Sequence, residues 1–326
     1  MSNDHLATPN PELAPILAVL PAPAASMLPD IDAARRWFAE GPAAISRSGQ
    51  EPHLPPATAY TSTDHKLAVE DGEITVRSYV PTSSTNDTRF PLLFWTHGGG
   101  WVIGDLEMDD YYLKILSAEL QLVIVHVDYR LAPEYSFPTG LNDSYTALKW
   151  AKQNAGSFNA DLSKGFLVGG ASAGGNLAAV LAHRTKADPE FTQHPLTGQV
   201  LQYPVTVHPD VVPEDQLMRH LAELLGGSPS NPEISPLLYP SFEGLPPALV
   251  QVCGMDPLRD DGLLYVEKLK QAAVPTRLHV YPGAPHGFHL GFAQTNIAQK
   301  FEEELKAALR WLLAGAPSDG QQVARM

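Results

Sequence analysis

Short apolar runs alternate with segments of helical spacing along most of the chain from about residue 65. Continuous apolar runs of this length predict buried strands, and apolar positions three and four residues apart predict helices. The predicted strands are 91–97, 122–128, 166–169, 199–203, 248–253 and 277–281. The predicted helices are 109–120, 142–153, 174–185, 260–273 and 296–314. This alternation indicates an α/β fold with a mostly parallel sheet and helices on both faces.

Three segments depart from the alternation. Residues 66–69 and 74–80 flank a glycine-containing turn, so they predict a hairpin that adds antiparallel strands at one edge, about eight strands in all. Residues 1–55 are rich in proline and alanine and contain a predicted helix at 31–40. Residues 208–240 combine a predicted helix at 214–225 with a proline-rich loop. We therefore expect 208–240 to form a helical cap over a core made of 56–207 and 241–326. Residues 1–55 are expected to belong to this cap or, alternatively, to form a loosely attached N-terminal arm.

Composition narrows the class of protein. The 326 residues are 44% hydrophobic, and no apolar run reaches the roughly 18 residues of a membrane helix. The net charge of −14 disfavours nucleic acid as a partner. A single cysteine, Cys253, allows no intrachain disulfide, and the first 20 residues do not resemble a secretion signal. A cytoplasmic location is the expectation.

The strongest chemical signal is the stretch Gly-Ala-Ser-Ala-Gly centred on Ser172. It follows a predicted strand and opens a predicted helix, the context in which a serine hydroxyl is exposed on a sharp turn above the sheet. The alternative is an ordinary small-residue turn with a helix-capping serine. Strand, turn and helix together favour Ser172 as a nucleophile.

A second signal, His97-Gly98-Gly99-Gly100-Trp101, ends the strand predicted at 91–97. Successive glycines leave backbone N–H groups unshielded, as an oxyanion hole requires. The expected donors are the amides of Gly98, Gly99 and Ala173. The alternative interpretation of the glycine stretch is a flexible loop without a binding role. We expect His97 to hold the loop by a hydrogen bond and not to act as the base.

A nucleophilic serine needs a base and an orienting carboxylate. Asp256 and His286 each follow a predicted strand, as Ser172 does, and the carboxyl ends of parallel strands form the ligand-binding edge of such sheets. Nearby alternatives are less suitable. Asp260 and Asp261 have the positions of helix-capping residues, His279 lies within a strand, and His289 is displaced from the turn.

Other chemistries have little support in the sequence. It contains no H-E-x-x-H, C-x-x-C or Walker motif, and no histidine has convincing metal-ligand spacing. We therefore expect neither a metal nor an organic cofactor. Cys253 lies in a predicted strand and is interpreted as a core residue.

The combination of motifs resembles the hormone-sensitive-lipase family of esterases, which includes bacterial family IV and fungal relatives. The matching stretches are 97–101, 128–134, 137–138, 170–177, 256–260 and 286–288. The resemblance implies the α/β-hydrolase fold, a triad of Ser172, Asp256 and His286, and a cap. It also implies a homodimer through the 277–281 edge. One departure is Ala171, where the family usually has an acidic residue, and this affects the expected rate or pH optimum.

The predicted function is that of a serine carboxylesterase acting on small-molecule esters of short-to-medium acyl chains. A neutral histidine base predicts activity that falls below about pH 6–7. The alternatives are hydrolysis of lactones, carbamates or amides, and a catalytically silent ligand-binding relative. Candidate substrate-binding residues are Trp101, Trp37, Phe38 and Leu217, with Leu221 and Leu224 as further apolar candidates.

Overall fold

The computed structural model describes residues 3–19, 30–83, 85, 87–207 and 216–318, with the backbone alone at 216–218. Within these ranges no helix is long and apolar enough to cross a membrane.

Eight strands form one twisted sheet in the order β1-β2-β4-β3-β5-β6-β7-β8. β2 is antiparallel to both β1 and β4, and all other neighbours are parallel. The strands are β1 Tyr60–Val69, β2 Gly72–Pro81, β3 Leu92–Thr96, β4 Val123–Asp128, β5 Phe166–Ala171, β6 Gly198–Gln202, β7 Ala248–Cys253 and β8 Thr276–Tyr281. The predicted mostly parallel sheet with an antiparallel edge is confirmed.

Ten α-helices accompany the sheet within the described ranges. They are α1 Ala14–Leu17, α2 Ile31–Glu40, α3 Pro42–Gln50, α4 Leu106–Leu120, α5 Thr139–Gln153, α6 Ala173–Ala187, α7 Gln216–Leu225, α8 Arg259–Gln271, α9 Phe288–Gly291 and α10 Asn296–Leu313. The helices predicted from spacing are confirmed, although residues 214–215 of the predicted cap helix lie outside the described ranges. α3 was not predicted, because its sequence has one large apolar side chain, Ile45, and that side chain is exposed.

Strand side chains alternate between two apolar clusters, one on each face of the sheet. In β3, Leu92 and Phe94 face one cluster, whereas Leu93 and Trp95 face the other. The first cluster includes buried side chains of α5, α6 and α8. The second includes those of α4 and α10. The prediction of helices on both faces is confirmed.

The carboxyl ends of the parallel strands carry the sequence motifs. The loops after β3, β5, β7 and β8 begin at this edge, and they contain the glycine-rich stretch, Ser172, Asp256 and His286. α7 lies over the first of these loops, since an ideal Cβ at Gly100 would be 2.5 Å from Leu221 Cδ1. The sheet therefore gathers residues that are nearly 190 positions apart in the chain.

Candidate active site

Ser172 occupies a strained turn between β5 and α6. Its φ of 56° and ψ of −118° are unusual for a non-glycine residue. The turn is tight on both sides, because an ideal Cβ at Gly174 would lie 2.1 Å from Thr96 O, and one at Gly170 would lie 2.4 Å from Gly174 O. Only glycine fits at these two positions. The serine thus stands at the N-terminus of α6, where helix dipoles favour negative charge.

Asp256 and His286 are joined by a short hydrogen bond. His286 Nδ1 lies 2.6 Å from Asp256 Oδ2, and the carboxylate accepts from the Leu258 amide through Oδ1 at 2.9 Å. The Asp256 side chain is fully buried, whereas that of His286 is 38% exposed. A buried carboxylate bonded to one imidazole nitrogen fixes the tautomer and leaves the other nitrogen for proton transfer.

The glycine-rich loop lies directly against the serine. An ideal Cβ on Gly98 would be 3.5 Å from Ser172 Cβ and 3.0 Å from Ala171 O. Gly99 and Gly100 have positive φ of 106° and 62°, and Gly99 O accepts from Ile103 N at 2.9 Å. Among the described residues, the amides of Gly98, Gly99 and Ala173 have no hydrogen-bond acceptor. These amides are therefore free to bind an oxyanion formed at the serine.

Comparison with known proteins identifies the family. A family model described as the α/β-hydrolase fold matches residues 93–290. The chain belongs to the hormone-sensitive-lipase-like branch of the α/β hydrolases. The solved structure of vibralactone cyclase is 43% identical, with a TM-score of 0.90, and the match covers 96% of this chain and 97% of that one.

Two named esterases are similar in sequence. The versiconal hemiacetal acetate esterase of Dothistroma septosporum is 36% identical over 69% of this chain and 74% of its own length. The carboxylic ester hydrolase LipN of Mycobacterium tuberculosis is 35% identical over 76% of this chain and 69% of its own. The present chain is a carboxylic ester hydrolase.

His97 has a structural position in this hydrolase, as predicted. Its Nδ1–H donates to Gly98 O at 2.8 Å, and its ring stacks on Tyr129 with centroids 4.3 Å apart. The Tyr129 hydroxyl donates to His97 O at 2.9 Å. Burial lowers the pKa of His97 to about 4, so the ring is neutral at pH 7. His97 therefore stabilises the glycine-rich loop through a hydrogen bond to its backbone.

The interpretation of Asp260 and Asp261 as caps of the next helix needs correction. Asp261 is buried, and its carboxylate accepts from the amides of Thr206 and Val207 at 3.0 and 2.9 Å. Asp260 pairs with Arg259 at 2.9 Å on the surface. Neither side chain caps α8. Sequence could not reveal this, because the segment after β6 is brought to α8 only by the sheet.

The other residues considered as alternatives in the sequence have other contacts in the hydrolase. His279 lies in β8, 3.5 Å from Glu304, and His289 is buried between Tyr203 and Glu302. Cys253 is fully buried, which raises the pKa of its thiol and confirms the interpretation as a core residue. In the described ranges no group of three or more His, Cys, Asp or Glu could hold a metal ion.

The candidate substrate-binding residues have different environments. Trp101 is buried and lines a cavity of about 10 Å³ beside the glycine-rich loop, together with Leu177 and Leu225. Trp37 is 41% exposed on α2, and Phe38 is half-buried. The side chain of Leu217 lies outside the described part of the chain, whereas Leu221 covers Gly100 and Leu224 is half-buried.

Ala171, the departure from the family pattern, ends β5 and is 5% exposed. It belongs to the apolar cluster on the α4 and α10 face, which also contains Tyr203 and Phe288. The position before Ser172 is therefore uncharged and buried in this enzyme.

Sequence reasoning missed two residues at the site. Arg35 on α2 donates to Val102 O and Ala132 O at 2.8 and 3.0 Å, and it binds Glu134 with both terminal nitrogens. The spacing of apolar positions in the sequence does not indicate that Arg35 makes these contacts. Tyr203 packs against His286, and its place directly after β6 could have identified it, because ligand sites form at strand ends.

Proposed function

We propose that this carboxylic ester hydrolase acts through a Ser172–His286–Asp256 triad and an acyl-enzyme. The observation that carries the proposal is the strained backbone of Ser172. Such a conformation costs a non-glycine residue about 1–3 kcal/mol, so it persists only where the surrounding structure imposes it. The hydrogen bond between His286 and Asp256 supports the assignment of base and orienting acid.

In the proposed mechanism, His286 takes the proton from the Ser172 hydroxyl as the oxygen attacks the ester carbonyl. The amides of Gly98, Gly99 and Ala173 stabilise the oxyanion of the tetrahedral intermediate. His286 then protonates the leaving alcohol, and the acyl-enzyme forms. Water, deprotonated by His286, attacks the acyl carbonyl and releases the acid and Ser172. Asp256 stabilises the imidazolium that exists in each half-reaction.

The proposed substrates are small esters with short-to-medium acyl chains. Leu221 lies against Gly100, and the cavity beside Trp101 has room for about one water molecule, so apolar side chains already fill the space next to the loop. We infer that α2, α3 and α7 cap this edge of the sheet and limit the acyl group. Hydrolysis rates of p-nitrophenyl esters should fall as the acyl chain is lengthened from acetate to palmitate.

Active-site labelling tests the proposed nucleophile. We expect a fluorophosphonate probe to label the wild type at neutral pH and not Ser172→Ala, whose kcat for p-nitrophenyl acetate should fall by at least about 10⁴-fold. Ser157→Ala is the matched control, because Ser157 is exposed between α5 and β5. Equal labelling of Ser172→Ala and wild type would exclude Ser172.

A second candidate function is lactone chemistry, which the similarity to vibralactone cyclase favours. The same acyl-enzyme could be attacked by a hydroxyl of its own acyl chain instead of water. The acyl–Ser172 bond would then break as a lactone C–O bond forms, with the proton returning to Ser172 through His286. Mass spectrometry of products from a hydroxyacyl ester, with lactones and anilides as parallel substrates, distinguishes cyclisation from hydrolysis.

The proposed assembly is a homodimer through β8. This strand ends the sheet order and pairs with β7, so its other edge presents backbone groups for antiparallel pairing with a second copy. Sedimentation should give twice the 35.3 kDa chain mass, and a monomer mass at micromolar concentration would exclude the dimer.

A further inference from the structure

A chain of three polar side chains lies behind His286. The Tyr203 hydroxyl is 3.1 Å from His289 Nε2, and His289 Nδ1 is 2.8 Å from Glu302 Oε1. The residues come from the end of β6, from α9 and from α10. Tyr203 and His289 are 3% and 2% exposed, so neither can contact a substrate.

The donors in this chain follow from the chemistry of its ends. A carboxylate oxygen accepts, so His289 Nδ1–H donates to Glu302, and the Tyr203 hydroxyl donates to His289 Nε2. Burial raises the pKa of Tyr203 well above its ordinary value, so the hydroxyl keeps its proton. Asp109 and Tyr112 of α4 also face His289, and burial raises the pKa of Asp109 to about 6.

The Tyr203 ring contacts the candidate base. Its centroid lies 4.7 Å from that of the His286 imidazole, and the two planes are inclined by 70°. This is the edge-to-face arrangement that aromatic rings favour. An ideal Cβ at Gly287 would lie 4.0 Å from the Tyr203 hydroxyl, so the tyrosine also borders the residue after His286.

The backbone around Tyr203 is attached to the nucleophile. Ser172 N donates to Gln202 O at 2.9 Å, and Val205 N donates to Ser172 O at 3.3 Å, so Tyr203 lies between two residues bonded to Ser172. Its φ of 36° falls in the left-handed region, which a bulky side chain rarely adopts. A strained residue that packs against His286, and whose neighbours in the chain bond to Ser172, points to a positioning role.

We propose that Glu302, His289 and Tyr203 form a relay that fixes the plane of the His286 ring, an inference that rests on the proposed triad. Asp256 holds His286 at Nδ1, and a hydrogen bond in the plane of the ring does not by itself restrain rotation of the ring about that bond. The Tyr203 ring restrains this rotation. The hydrogen bond from Tyr203 to His289, which is itself bonded to Glu302, holds Tyr203 in place. Proton transfer depends steeply on such alignment. A purely structural polar chain would instead affect stability and leave kcat unchanged.

Tyr203→Phe keeps the aromatic ring and removes the hydroxyl that bonds to His289. We expect kcat for p-nitrophenyl acetate to fall about tenfold, with KM changed by less than about twofold. Tyr145→Phe is the matched control, since Tyr145 also loses one hydroxyl hydrogen bond, in its case to Asp188, but lies on α5. It should keep the wild-type kcat.

Variants of His289 separate positioning from stability. His289→Gln supplies a carbonyl acceptor for Tyr203 and an amide donor for Glu302, so it should retain most of the wild-type kcat. His289→Leu should lose about as much as Tyr203→Phe. If His289→Leu fails to fold, Tyr203→Phe and His289→Gln still decide the question, because both keep the size of the side chain nearly unchanged.

Two results would overturn the relay: a wild-type kcat in Tyr203→Phe, or an equal loss in Tyr145→Phe. Fluorophosphonate labelling distinguishes this failure from that of the proposed function. Labelling at Ser172 with unaffected Tyr203 and His289 variants refutes the relay alone. Labelling that persists in Ser172→Ala refutes the triad on which the relay rests.

Discussion

Two neighbouring glycines of the loop after β3 are required for different reasons. At Gly99 the reason is the backbone, because φ is 106° and an ideal Cβ would lie 2.0 Å from Ile103 O. At Gly98 φ is not in the left-handed region, and the constraint is the approach of the loop to Ala171 O and Ser172. Gly99 therefore maintains the conformation of the loop, and Gly98 allows the loop to approach Ser172.

This difference predicts different effects of alanine at the two positions. Gly98→Ala should fold, but its methyl group should displace the amide, so that kcat falls by about 10²–10³ as when one oxyanion donor is lost. Gly99→Ala should lower the Tm as well, because the positive φ and the overlap with Ile103 O strain the loop. The measurements are kcat and thermal unfolding of both variants. A wild-type kcat in a folded Gly98→Ala would exclude the Gly98 amide as a donor.

At the scale of elements, α2 is attached to the site by one side chain. Arg35 donates to Val102 O of the glycine-rich loop, to Ala132 O of the loop after β4, and to both oxygens of Glu134. Bidentate arginine–carboxylate contacts are geometrically specific. The orientation of α2 and that of the glycine-rich loop are therefore coupled.

Arg35→Met should lower kcat about tenfold, because the loop loses an anchor near the reacting atoms. The free energy of unfolding should fall by about 1 kcal/mol, a modest value because Glu134 is half exposed. Arg36→Met, on the same helix at an exposed position, is the control and should resemble the wild type. Lowered stability with a wild-type kcat in Arg35→Met would limit its role to holding the helix.

Across the whole molecule, the N-terminal segment connects the loop before His286 to the last helix. Gly283 N donates to Leu6 O at 2.7 Å, and Asn10 N donates to Gly283 O at 3.0 Å, between β8 and His286. Glu12 accepts from the amides of Asn296 and Ile297 at 2.8 and 3.2 Å. A residue near the start of the chain thus caps α10, 284 positions later.

Removing this cap should destabilise the protein. Glu12→Ala leaves two helix N–H groups without their carboxylate, and we expect the free energy of unfolding to fall by about 1 kcal/mol. Glu40→Ala, at the exposed end of α2, should change it by less than about 0.5 kcal/mol. Urea denaturation followed by tryptophan fluorescence measures both. Equal stabilities of the two variants would show that the Glu12 contact contributes nothing.

Local patterns in the sequence determined the α/β architecture. The apolar runs at β3 to β8 and the helical stripes between them are local signals, because side-chain burial repeats every two residues in a strand and about every 3.6 in a helix. The same reasoning located the candidate residues, since Ser172, Asp256 and His286 all follow strands. β1 was predicted only in its second half, because its first residues are polar and exposed.

Tertiary structure decided which side chains meet. Asp261 accepts a hydrogen bond from the Thr206 amide, and Arg35 donates to Val102 O. Tyr203 packs against His286, and His289 bonds to Glu302. These partners are between 13 and 83 residues apart, and no local periodicity relates them. Secondary structure is governed by the spacing of apolar positions along the chain, and so the sequence by itself determined most of the elements and their order along the chain. The contacts between polar side chains depend on how the sheet brings distant strand ends together, and only the folded chain decided them.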